Sequence, residues 1–203
     1  MKIALHAGAH CTDEGRIGRT LLRNRDDLLP QRVSVPPLSN YTVLIREAIH
    51  ALDRSAPAED SQEVLLDTIL EEDEADRLVL TNENFFGTPR MSMKSGQFYP
   101  EAEDRVGSLC QLFPDCEIEL FLAIRDPGTF IPAIHAMANK VPLPSLLNDT
   151  DPGTLRWSHL ITRLREAEPD VAITVWCNED SPLVFGELIR SMAGLPENAR
   201  IKG

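Results

Sequence analysis

The stretch that decides the fold is Leu5-His6-Ala7-Gly8-Ala9-His10-Cys11-Thr12-Asp13-Glu14-Gly15-Arg16. Residues 2–7 (KIALHA) read as a short buried strand. Gly8 ends it, and the segment to Gly15 turns the chain into a helix that starts near Arg16. In an α/β protein this strand–loop–helix turn is where an anion sits, over the exposed N–H groups of a helix N-terminus. This loop carries two acids and no lysine. A Walker A loop requires G-x-x-x-x-G-K-[ST]. Counted from Gly8, its second glycine, lysine and hydroxyl positions hold Asp13, Glu14 and Gly15, so a nucleotidase loop of that kind is excluded.

Working outward, strands are expected over 2–7, 31–35, 77–82, 117–124 and 171–177, all short, apolar and rich in β-branched residues. Helices are expected over 16–29, 40–54, 61–73, 100–113, 128–139, 154–167 and 182–194. Ser39, Asn40 and Ser181 are the expected N-caps, Pro182 a first helical residue and Gly194 a C-cap. Repeated β-α alternation implies a three-layer α/β/α sandwich around a mainly parallel five-stranded sheet, formed by residues 1–203 as a single domain. The long Pro/Gly-rich stretches 84–99 and 140–153 read as loops. The first, with Arg90 and Lys94, reads either as a ligand lid or as a surface connection packed by Phe85, Phe86 and Tyr99.

The net charge of −12 argues against nucleic acid as a partner and is unfavourable for any polyanion unless a local basic pocket overrides it. No run approaches the ~20 apolar residues of a membrane span, so no membrane partner is expected. The first strand is too short for a secretory apolar region, and the four cysteines form no C-x-x-C pair. Both point to a cytoplasmic protein with reduced thiols.

The order Leu5-His6-Ala7-Gly8-Ala9-His10-Cys11-Thr12, then Leu21, Asn24-Arg25 and Tyr41, resembles the opening of the P-loop sulfotransferase family, whose bacterial branch reads approximately LHxGxHKTGTTxxQxxLxxNR. The match runs without a gap from Leu5 to Arg25. The segments Leu80–Phe85, Phe121–Pro127 and Trp176–Asp180 with Gly194-Leu195 resemble later parts of the same family. The resemblance implies a sulfotransferase-like P-loop fold and, in an active member, in-line sulfuryl transfer from PAPS (3′-phosphoadenylyl sulfate) to a hydroxyl or amine. It places Gly8, His10 and Thr12 in the donor loop, Arg125 on the donor 3′-phosphate, and Glu83 at the position of the acceptor base.

The family's chemistry is missing at several of those positions. The loop lysine is Cys11, the glycine two residues on is Asp13, the next two hydroxyl positions are Glu14 and Gly15, and the 3′-phosphate serine is Ala133. A unit charge pair ~5 Å apart is worth roughly 3 kcal/mol at an effective dielectric of ~20, so exchanging a lysine for acids costs several kcal/mol against a phosphosulfate. Arg16 and Arg19 would compensate only by folding back over the loop. The reading favoured here is a catalytically inactive binding or regulatory module with a degenerate donor loop. The alternative is a divergent PAPS-dependent sulfotransferase acting on a small molecule or peptide, with Glu83 as base and Arg16 or Arg19 in place of the lysine.

Each residue also has a plainer reading. Glu83 reads as a solvent-facing strand end, Arg125 as the partner of Asp126 or Glu179, and His6 as a core histidine with a satisfied hydrogen bond. Trp157 and Trp176 read as core. His6, His10, Cys11, Asp13 and Glu14 do not have the arrangement of a zinc site, and no metal is expected. The expected partner is a small molecule or a protein acceptor.

Overall fold

In a computed structural model, which describes residues 1–72, 74–138, 141–148 and 150–203, the chain runs β1 (Lys2–His6), α1 (Arg16–Arg23), α2 (Arg25–Leu28), β2 (Val33–Ser34), α3 (Leu38–Leu52), α4 (Ser61–Ile69) and β3 (Arg77–Thr81). It continues through β4 (Met93–Lys94), β5 (Gln97–Phe98), α5 (Ala102–Leu112), β6 (Glu117–Ile124), α6 (Pro127–Met137), α7 (Leu143–Leu147), α8 (Trp157–Ala167), β7 (Ala172–Cys177) and α9 (Ser181–Ala193). Five strands form one sheet in the order β2-β3-β1-β6-β7, and every pairing in it is parallel.

Side-chain alternation along the strands divides the core into two layers. Ile3, Leu5, Leu78, Leu80, Ile118, Leu120 and Leu122 face a layer that includes Tyr41 and Ile45 of α3, Leu109 of α5, Phe130 of α6 and Leu160 of α8. Ala4, Val79, Phe121, Ala123 and Trp176 face the other, with Ile17 and Leu21 of α1 and Ile189 and Met192 of α9. The connection from β1 packs on one face of the sheet and those after β3 and β6 on the other. The crevice between β1 and β6, at their carboxyl ends, is therefore the topological switch point. Residues 8–16 lie there.

Several boundaries differ from the sequence expectation. The helix expected over 16–29 breaks at Asn24. The Asn24 side chain bonds the Thr20 carbonyl at 2.8 Å and both the carbonyl and N–H of Lys202, so it fastens the C-terminal tail to the break. β2 is only two residues long. The long connection after β3 contains the hairpin β4–β5, and the other long loop contains α7. Pro37, not Ser39 or Asn40, precedes α3. Ser181 is the first residue of α9 and its hydroxyl accepts from Trp176 Nε1, so Asp180 takes the cap position. Gly194 closes α9 with φ 67°, the left-handed conformation a glycine C-cap supplies. Asp73, Asn139, Lys140 and Asp149, within the expected 61–73 and 128–139 helices and the 140–153 loop, lie outside the described residues. Among the described residues no helix is long and apolar enough to cross a membrane.

Candidate functional site

The loop after β1 stays attached to the sheet. Ala7 and Ala9 donate to the carbonyls of Phe121 and Ala123, and Ala123 donates to the Gly8 carbonyl at 2.7 Å. Gly8 adopts φ +101°, and a Cβ there would lie 3.3 Å from both the Glu83 carbonyl and the His10 nitrogen. Glycine therefore lets the loop and the segment after β3 approach closely, which brings Glu83 to the loop mouth.

At the head of α1 the Asp13 carboxylate accepts from the N–H of Ile17 at 2.9 Å and of Gly15 at 3.2 Å. These are donors a helix N-terminus would offer a phosphate. A carboxylate satisfies them and complements the helix dipole, so the loop supplies its own anion. Glu83 is half-buried, and its carboxyl is held above the usual range, first by burial and then by the charge of Asp13. The two acids thus sense each other across the mouth. Glu83 lines a cavity of about 640 Å³ with Asn82, Asn84 and Phe85.

His10 is completely buried and has its own partners. Its N–H donates to the Tyr99 hydroxyl at 3.1 Å, that hydroxyl lies 2.8 Å from Nδ1, and Nε2 lies 3.2 Å from Asn84 Oδ1. One neutral tautomer satisfies the whole set, with Tyr99 O–H donating to Nδ1 and Nε2–H donating to Asn84. Burial lowers the His10 pKa to match. The ring is an internal brace between the loop and the β5–α5 junction. Thr12 is similarly committed, donating its hydroxyl to the Ala9 carbonyl at 2.6 Å. The Cys11 thiol lies against Met137 Sδ and is pushed up by burial first, which opposes thiolate formation.

The two arginines expected near the loop part company. Arg16 places its guanidinium 4.0 Å from the centroid of Phe185 on α9. Arg19 does turn back, and Nη1 donates to the Glu14 carbonyl at 2.9 Å on the exposed outer rim. Arg125, at the end of β6, donates from Nη1 to the Cys11 carbonyl at 2.7 Å and from Nε to Thr129 Oγ1 at 3.1 Å. No ion pair joins it to a carboxylate among the described residues. Asp126 caps α6, and Glu179 accepts from the Asp126 N–H instead. Arg125 therefore reaches the loop with its charge uncompensated by a direct acidic contact. Trp157 is buried, yet its Nε1 donates to the Arg125 carbonyl at 2.6 Å, so this core residue also fixes the end of β6.

His6 is buried beside Trp176. Its ring bonds the Gly8 backbone, and its Nε2 has no hydrogen-bond partner among the described residues. Burial lowers its pKa and the nearby Asp13 charge opposes that shift. No group of three or more His, Cys, Asp or Glu placed to hold a metal occurs among the described residues.

The sequence missed Arg163 of α8. It donates to the carbonyls of Phe98 and Tyr99 and pairs with Glu103 at 3.2 Å, so it anchors the junction that presents Tyr99 to His10. No local pattern marks it, because its partners lie some sixty residues away.

With this geometry in view, the comparisons place the fold. A sulfotransferase from Alicyclobacillus acidocaldarius superposes with a TM-score of 0.54 at 11% identity, covering 100% of this chain and 84% of that one. The chain has a sulfotransferase-like P-loop fold. A retinol dehydratase in complex with androsterone and the inactive cofactor PAP aligns with a TM-score of 0.37 at 10% identity, covering 96% of this chain and 60% of that one. No family model matches the sequence, and no curated protein matches it. At these identities the likeness is one of fold, and activity has to be argued from the site.

Proposed function

We propose that this protein is a binding or regulatory module on a sulfotransferase-like fold, in which the Asp13 carboxylate takes the place of a donor phosphate and the loop no longer accepts PAPS. One observation carries the reading: Asp13 occupies the N–H groups of Gly15 and Ile17. A phosphosulfate would have to displace a covalently tethered anion and then sit beside it. The positions around the loop support the same conclusion, since Cys11 stands where the family lysine would be and Arg16 is directed to Phe185. The ligand would be a small molecule or a protein segment received beside Glu83. A net charge of −12 speaks against nucleic acid and anionic membrane surfaces as partners. The four free cysteines fit the reducing cytoplasm.

A second reading rests on Arg125, which has no carboxylate partner among the described residues and would suit a 3′-phosphate. In it the chain is a divergent PAPS-dependent sulfotransferase. Arg125 and the loop amides, with Gly8 allowing close approach, would hold the donor, and PAPS would supply the sulfuryl group. Glu83 would accept the proton of an acceptor hydroxyl or amine.

Calorimetric titration with adenosine 3′,5′-bisphosphate separates the readings. No binding at millimolar nucleotide is expected. Micromolar binding that Arg125→Ala abolishes would overturn the binding-module reading.

A further inference from the structure

The cavity beside Glu83 has a chemical polarity of its own. At about 640 Å³ it is within the range that holds small organic ligands. It runs along one stripe of α3, from Leu38 through Thr42, Ile45, Arg46 and Ile49 to His50. The twelve helical steps from Leu38 to His50 give that stripe a length of about 18 Å. The orientation of α3 is fixed at its first turn, where the Tyr41 hydroxyl donates to the Thr81 carbonyl and accepts from the Thr81 N–H, both at 2.9 Å. The start of the stripe is therefore beside the end of β3 and Glu83, and Arg46 lies two turns further on.

The lining is apolar where Ile45, Ile49, Phe85 and Met91 meet it, and two arginines stand in the wall. Arg46 makes no ion pair among the described residues. Arg105 has one, with Glu101 four residues earlier at 3.7 Å, a long pair whose carboxylate partner is about half exposed. A pair of that kind contributes little and yields readily to a better anion. The chain is strongly acidic, yet two of its arginines, Arg46 and Arg105, line this cavity with a single carboxylate, Glu83. Local cations on low-dielectric walls override the global field for an anion that fits between them.

From this arrangement we propose that the cavity binds an elongated apolar molecule carrying a carboxylate, with the carboxylate held by Arg46 and Arg105 and a hydroxyl or amine at its other end donating to Glu83. The inference rests on the reading of the chain as a binding protein and supplies the ligand class for it. An apolar middle section fills the stripe, and the two ends are told apart by charge. A ligand with no anionic group leaves the arginines in water and gains only the apolar contact.

The test uses the full-length protein and two matched probes, 10-hydroxydecanoate and decane-1,10-diol, titrated calorimetrically without nucleotide. The hydroxy acid is expected to bind with a submillimolar Kd, at least tenfold tighter than the diol. Arg46→Gln and Arg105→Gln are each expected to weaken the hydroxy acid about tenfold, on the scale of one charge-assisted contact, and to leave the diol unchanged. Arg46 is exposed, so its variant keeps the fold, which an unchanged melting temperature checks. Equal affinity for the two probes, no binding at millimolar hydroxy acid, or indifference to both arginine variants would each overturn the proposal. Binding of adenosine 3′,5′-bisphosphate in a separate titration would overturn the parent reading without touching this one.

Discussion

Replacing Asp13 separates the two things its carboxylate does. It accepts from Ile17 N–H at 2.9 Å and Gly15 N–H at 3.2 Å, which caps α1, and it holds a negative charge where a phosphate would be received. Asp13→Asn keeps one of the two acceptor oxygens, turns an NH2 toward the other N–H and discards the charge, while Asp13→Ala discards both acceptors and the charge. Loss of a side-chain cap costs about 1 kcal/mol, within roughly 0.5–2, so Asp13→Ala is expected to be destabilised by that amount, and Asp13→Asn, which loses one of the two bonds, by a part of it. For an incoming phosphate ~5 Å from the carboxylate, repulsion at an effective dielectric of ~20 is about 3 kcal/mol. Screening at physiological salt, with a Debye length of about 8 Å, removes up to half of it at an exposed loop. Affinity for adenosine 3′,5′-bisphosphate is therefore expected to rise roughly 10- to 150-fold in Asp13→Asn. The net charge of −12 depresses affinity in both proteins and changes by only one charge between them. Urea denaturation reads the first effect and calorimetric titration the second. The reasoning is refuted if wild type and Asp13→Asn bind the nucleotide equally, or if Asp13→Ala is as stable as wild type.

Two further predictions concern the braces of the site. Tyr99→Phe strips His10 of partners for both its N–H and Nδ1 at a fully buried position, so a loss of about 2 kcal/mol is expected in chemical denaturation. A variant within 0.5 kcal/mol of wild type would show that the brace is not structural. Burial holds both His6 and His10 below the usual imidazole range. The folded protein keeps them neutral while an unfolded chain takes up protons near pH 6.5. Stability is thus present above pH 6.5 and declines as pH falls through 6.5 toward the lowered folded values, with the unfolded state binding more protons in that window. Imidazole NMR shifts of both residues are expected in the neutral position at pH 6.5, and half-protonation there would contradict the assignment.

The register from Leu5 to Arg25, together with β-α alternation, determined the architecture from sequence alone. Buried parallel strands must be continuous apolar runs, and a strand that ends in glycine before a helix creates the switch-point loop. The same residues put Cys11, Asp13 and Glu14 at positions where the family it resembles carries a lysine, a glycine and a hydroxyl. What those acids do was not visible. Asp13 as a cap on Ile17 depends on how the loop turns at Gly15, and Arg16 over Phe185 joins residues 169 positions apart. His10 read as a donor-loop residue by register, and tertiary structure committed it to Tyr99 and Asn84. Arg125 read as a possible partner of Asp126 or Glu179, and the fold gave those acids to backbone N–H groups instead. The cavity beside Glu83 belongs wholly to the tertiary level. Local sequence fixes which element a residue sits in, through periodicity and turn chemistry, but the facing of α3, α5 and the loop after β3 is set by how distant apolar stripes pack on one sheet. Arg46, Arg105 and Glu83 share one space for that reason alone.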